Sequence, residues 1–310
     1  MENWRQFNLG NWAFIGFMVG IGAIYAGWEL DLAWPEEAFV FGIMATGAFM
    51  GWFHTRWDSL HKLYLRDNPS PGIMRVAVFL SMGWITLTLL LFGSVRIQGI
   101  WYFYYWIIGL GCLYVFGVLG AQIIGLRLRV DAYERNNNAA GVFIGAFVLS
   151  TGLIYGGSVW GESNPESFQQ PAPFFELLPS YEDGGWIIGL FFLLGWTILY
   201  FCMELWFARE SSRGIKAIRR DRSLEDGKAA ALYCLGCAIP LTTAVSGDYH
   251  GLYDSLLSFS AIALPVLAGE VLRPATSTEA RDPQEPYIYL GIGIAAAIMS
   301  PLVSSIIGFR

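Results

Sequence analysis

Residues 133–161 read YERNNNAAGVFIGAFVLSTGLIYGGSVWG, a polar asparagine triplet that runs straight into an uncharged apolar stretch. About 20 such residues, each rising 1.5 Å along a helix, cross the hydrocarbon of a bilayer. The stretch therefore reads as a membrane-spanning helix with its polar lead-in at one surface. An earlier copy, LRDNPSPGIMRVAVFLSMGW, lies 69 positions upstream: Gly72 falls on Gly141, Ala77 on Ala146, Leu80 on Leu149, Ser81 on Ser150 and Gly83 on Gly152. Two weaker copies follow, LEDGKAAALYCLGCAIPLTTAVSG and RDPQEPYIYLGIGIAAAIMSPLVSSIIG, in which Pro240-Leu241 falls on Pro301-Leu302. Self-similarity of this kind marks an array of one repeated unit.

The composition agrees. In 310 residues, 55% are hydrophobic and only 14% charged, with a mean hydropathy of +0.47; a soluble domain of this size carries more charge and less continuous apolar sequence. The expected fold class is an all-α polytopic membrane protein. Apolar windows predict nine spans, at about 11–27, 37–53, 73–94, 101–125, 139–160, 186–207, 229–246, 252–272 and 287–308. The windows are long and continuous rather than short and alternating, which excludes a β-barrel. The first span reads as an uncleaved helix, because MENWRQFNLGNWAF has one Arg balanced by one Glu and only a poor cleavage site follows near Ala26.

Lys and Arg are retained on the cytoplasmic side of a membrane. With Arg5 inside, Arg56, Lys62 and Arg66, then Arg127, Arg129 and Arg135, then the basic run between Arg209 and Lys228, and finally Arg273 and Arg281 all fall on the cytoplasmic face. Acidic residues such as Glu29, Asp31, Glu162 and Glu182 fall opposite. The expectation is a multi-pass membrane protein, N-terminus cytoplasmic and C-terminus outside. It divides into a leading helix (1–34), a first repeat pair (35–160) and a second repeat pair (161–310). Each unit is an inward-going helix, a polar connection and an outward-going helix, so the four two-helix repeats all point the same way. Parallel repeats are related by an axis along the membrane normal.

The polar lead-in ERNNNAAG and the exit IPLTTAVSG resemble the YjfL-like bacterial inner-membrane proteins, grouped as a domain of unknown function, family 350. Family members hold four spans, so the resemblance implies about two such domains in tandem behind an extra first helix. It implies a location in the bacterial inner membrane, but no activity and no catalytic residues. The triplet is intact only at Asn136, Asn137 and Asn138; its counterparts are Asp67-Asn68-Pro69, Glu225-Asp226-Gly227 and Asp282-Pro283-Gln284.

Three residues mark a candidate polar path: Glu204, near the cytoplasmic end of span six, with Gln122 and Glu270 at comparable depth. A carboxylate at lipid depth is costly unless paired or hydrated. The plainer reading pairs Glu204 with Arg209. Arg209, Arg213, Lys216, Arg219, Arg220 and Arg222 form a candidate surface for anionic lipid headgroups or a protein partner; the plainer reading is a topology signal alone. Asn136, Asn137 and Asn138, with Asp67 and Asp226, stand where helix N-termini need acceptors, and capping explains them without a ligand. Arg75 reads as a snorkelling cation, and Asp248, His250 and Asp254 as solvated groups or an ion site. Cys234 and Cys237 have a redox or metal spacing but lack a second pair and sit mid-span, where packing is the better reading. His54, His61 and His250 are spread over both faces. Neither a metal nor another cofactor is expected, nor is nucleic acid a partner.

The reading of function is a non-catalytic membrane subunit or scaffold, serving envelope maintenance and open to protein partners or self-association. The alternative is an ion channel or transporter-like bundle with a path along the repeat axis, for which the recurring Ser81, Ser150, Thr242, Thr243, Ser304 and Ser305 speak. Ser and Thr also bridge helices in lipid.

Overall fold

The computed structural model describes residues 68–92, 100–160, 185–209, 214–246, 252–272 and 285–307. The expected spans at 11–27 and 37–53, together with Asp67, Arg213, Asp248, the three histidines and the long connection after Trp160, lie outside them. Everything described is helix or short connection. In chain order the helices are α1 (Ser70–Leu91), α2 (Ile100–Cys112), α3 (Leu119–Ile124), α4 (Asn138–Ser158), α5 (Gly185–Arg209), α6 (Leu224–Ala244), α7 (Leu252–Leu272) and α8 (Glu285–Ile307). Widened π-helical turns occupy Leu113–Val118, Leu128–Glu134 and Ala217–Asp221. The first of these joins α2 to α3 as one rod.

Four helices are long and apolar enough to cross a membrane: Ser70–Leu91, Trp101–Ile124, Asn138–Ser158 and Ile188–Arg209. This is an all-helical membrane protein. In α7 and α8 the described apolar stretches, Leu256–Leu272 and Tyr287–Ile298, are shorter. Helix α6 is not among the four, because Glu225, Asp226 and Lys228 in its first turns, with Gly, Thr and Pro240 further on, lower its mean hydropathy.

The helices form two layers. In the front layer α1, α4 and α6 lie side by side and parallel, and α8 follows against α6. In the back layer the α2–α3 rod packs on α4 and α1, α5 packs on α4 and α6, and α7 packs on α5 and α6. Helix α4 is the centre, with 78% of its span buried against 39% for α1 and α5. Glycine explains the close front layer, since association in lipid comes from packing, not from the hydrophobic effect. A Cβ on Gly227 would lie 2.8 Å from the Cα and the carbonyl oxygen of Ala139. Gly141 meets Ser70 in the same way, Gly152 meets Ser81, and Gly157 meets the Thr242 carbonyl.

At the α6–α8 crossing, Pro240 has no N–H to give the carbonyl of Gly236 four residues earlier. Gly293 backs against that carbonyl, where any side chain larger than hydrogen would collide with it. Polar ties between helices run both within the front layer and from it to the back layer. The Trp84 indole donates to the Leu153 carbonyl at 3.1 Å, the Tyr155 hydroxyl to the Tyr105 carbonyl at 2.8 Å, and the Cys234 thiol to the Ser150 hydroxyl at 3.3 Å. Large apolar side chains on the outer faces, among them Phe79, Leu90, Leu264, Ile292 and Ile298, are exposed, as lipid contact permits.

Candidate functional site: a polar knot at the helix origins and a buried carboxylate

Two polar centres stand out, both built by residues that a bilayer would otherwise penalise. The first lies where α1, α4 and α6 begin. Asn136 adopts a left-handed backbone (φ 51), Asn137 is extended, and α4 follows. Before α6, Arg222 is left-handed (φ 55), Ser223 extended, and the helix follows. The residue at that bend must tolerate positive φ, which asparagine does more readily than arginine.

The asparagines divide the work. Asn137 is fully buried; its Oδ1 accepts the Ala140 N–H at 3.2 Å and its Nδ2 donates to the Ile218 carbonyl at 2.7 Å, tying α4 to the turn that leads into α6. One unit earlier, Asn68 donates to the Ala132 carbonyl at 3.1 Å and to Asn136 Oδ1 at 2.9 Å. Asn138 makes only a long contact with Ser70, 3.4 Å between Oδ1 and Oγ. On α6 the capping residue is Ser223, whose hydroxyl accepts the Asp226 N–H at 3.3 Å. Asp226 therefore sits inside the first turn, facing the helix dipole, and is not the cap.

Sequence reading passed over the residue at the middle of this knot, Asp131. It is fully buried, accepts the Arg127 N–H at 2.9 Å, and is paired with Arg135 at 3.1 Å and Arg219 at 3.3 Å. The signal that could have found it is a lone aspartate inside the basic string RLRVDAYER. Nearby, burial pushes the Tyr133 hydroxyl up to about 12, with the Arg75 charge pulling the other way.

Asn137→Ala removes a cap, about 1 kcal/mol, and strands a buried carbonyl, about 1–3 kcal/mol. We expect a loss of about 2–3 kcal/mol in SDS-induced unfolding from mixed micelles, whereas Asn138→Ala stays within about 0.5 kcal/mol of the parent. Equal effects from the two variants would remove Asn137 from this role.

The second centre joins α5, α6 and α7. Glu270, only 3% exposed, accepts the Tyr233 hydroxyl at 2.7 Å, and its other oxygen stands 3.7 Å from the Arg209 guanidinium. Arg209 also donates to the carbonyls of Glu270 and Val271, closing the C-terminal end of α7. The Trp206 ring stacks on Tyr233 with centroids 5.6 Å apart, and Tyr289 of α8 meets the same ring edge-on at 5.3 Å.

The remaining expected residues are placed apart. Glu204 accepts the Tyr200 hydroxyl at 2.8 Å on its own helix, and Gln122 is exposed at the end of α3. Neither Glu204 nor Gln122 is hydrogen-bonded to Glu270. Of the basic set, Arg209 and Arg219 are engaged within the fold, while Lys216, Arg220 and Arg222 are exposed. Cys112, Cys202, Cys234 and Cys237 are buried as free thiols. Among the described residues no group of three or more His, Cys, Asp or Glu is placed to hold a metal ion. Searches against protein-family models, curated proteins and solved structures give no match to this chain.

Proposed function

We propose that this chain is a non-catalytic membrane subunit or scaffold of the bacterial inner membrane, serving envelope maintenance, and a relative of the YjfL-like proteins. In this reading nine spans comprise a leading helix and four parallel two-helix repeats, with the N-terminus cytoplasmic. Two features favour the repeats: the left-handed and extended pair before both α4 and α6, and the matching glycine crossings of Gly141 on Ser70 and Gly227 on Ala139. The exposed Lys216, Arg220 and Arg222 are the surface offered to a partner protein or to anionic headgroups.

The observation that carries the scaffold over a conduit is the backbone contact between front-layer helices. Gly157 against Thr242, Gly227 against Ala139 and Gly293 against Gly236 leave no room for water between those neighbours. What favours the second reading, an ion channel or transporter-like protein, is Glu270, since a buried ionisable group in a membrane protein marks a functional site by default and an ion path is one such use. Liposomes carrying the purified protein, loaded with pH- and potassium-sensitive dyes, separate the two. We expect leak no faster than in empty liposomes. A leak present in the parent and abolished by Glu270→Gln would overturn the scaffold.

A further inference from the structure

We propose that the outer side of the front layer holds one anionic phospholipid, its acyl chain in a cleft across α1, α4 and α6 and its phosphate on Lys228. The cleft has a volume of about 390 Å³, within the range of small-ligand sites. Its floor is low because Gly145 and Ala146 of α4 are small, and its walls are aliphatic, with Val76 and Leu80 of α1 on one side and Leu235 of α6 on the other. A cleft of this lining at lipid depth has hydrocarbon as its natural occupant.

One end differs. Lys228 and Tyr287 line the cleft where α6 and α8 begin, and among the described residues Lys228 is the only charged one lining it. Lys228 follows Gly227 as Val142 follows Gly141, and both glycines back onto the preceding helix. The same register position is thus aliphatic in α4 and cationic in α6, so packing alone does not call for the amine. Among the described residues Lys228 has no ion pair or hydrogen bond, although Glu225 and Asp226 stand in the same first turn. Lys228 is exposed, and a lysine at such a place can lay its stem on apolar surface and keep its amine in the polar boundary. An exposed cation and a tyrosine at the mouth of a hydrocarbon-lined cleft match a phosphate joined to an acyl chain, in charge and in order. The site is separate from the connection bearing Lys216, Arg220 and Arg222, and it holds for a scaffold and a conduit alike.

The test is native mass spectrometry of the full-length protein released from detergent, titrated with phosphatidylglycerol or phosphatidylcholine. We expect the first phosphatidylglycerol to bind about fivefold more tightly than phosphatidylcholine. Lys228→Gln should bring the two to parity, Lys228→Arg should keep the preference, and Lys216→Gln, outside the cleft, should leave it unchanged. A preference that survives Lys228→Gln overturns the proposal. So does cross-linking in membranes from Val76→Cys to residues 11–53 or to a second copy, which would show the cleft filled by protein. Lys228→Gln removes no bond within the described fold, and an unchanged SDS-unfolding midpoint confirms that any loss of preference comes from the site.

Discussion

Gly227→Val is expected to be among the most damaging single substitutions in this chain. The new Cβ would stand 2.8 Å from Ala139 Cα, 2.8 Å from its carbonyl oxygen and 2.9 Å from its Cβ. Those atoms belong to the first turn of the central helix, held in place by Asn137 below and Ser70 alongside. No flexible side-chain tip can move aside. Overpacking a tight core costs about 1–3 kcal/mol and more where backbone must shift, so we expect a loss of at least about 3 kcal/mol. Gly227→Ala is the sharper comparison, because alanine favours a helix by about 1 kcal/mol over glycine and should still destabilise here. At Gly291, where a Cβ meets nothing within 4 Å, the same change should stabilise by up to about 1 kcal/mol. Both variants can be compared by SDS-induced unfolding in mixed micelles. A neutral Gly227→Ala would mean that α4 and α6 do not approach as described.

Asp131→Ala carries the second large effect. The substitution deletes the acceptor of the Arg127 N–H and leaves the charges of Arg135 and Arg219 facing one another across a vacated buried site. Breaking a fully buried pair costs about 3–5 kcal/mol. The two arginine side chains are 49% and 42% exposed and can hydrate in part, which lowers the expectation to about 2–3 kcal/mol. Asp131→Asn keeps an acceptor for the backbone N–H and should lose about half as much. Because Arg135 and Arg219 belong to two different connections, those leading into α4 and α6, the loss should also show as faster proteolysis of both together. Cleavage rates that rise in only one connection, or in neither, would contradict the carboxylate as their common anchor.

Some of this was legible in the sequence. Long apolar windows force helices, since lipid offers backbone groups no partner outside the segment, and the windows centred on 73–94, 101–125, 139–160 and 186–207 coincide with the four long apolar helices. The repeat also set Gly141 and Gly152 in register with Gly72 and Gly83, though not which neighbours those glycines meet. Other features were not legible. Window hydropathy averages over residues and is blind to turn geometry, so the π-helical turns at Leu128–Glu134 and Ala217–Asp221 were invisible. Ser223 was passed over for Asp226 because N-capping depends on the φ and ψ of one residue, which a charge pattern does not reveal.

From the amino-acid order alone follow the helical class, the membrane as solvent, and the polar lead-in that starts the central helix, because period, length and charge are local properties that a chain carries before it folds. Tertiary structure alone decided which polar groups meet. It set Asp131 between Arg135 and Arg219, joined Glu270 to Tyr233 and Arg209 and Glu204 to Tyr200, and put Lys228 at the edge of an apolar cleft. Residues tens of positions apart are brought together only by the way helices rotate and cross, and in lipid that rotation is set by where glycine lets two backbones touch.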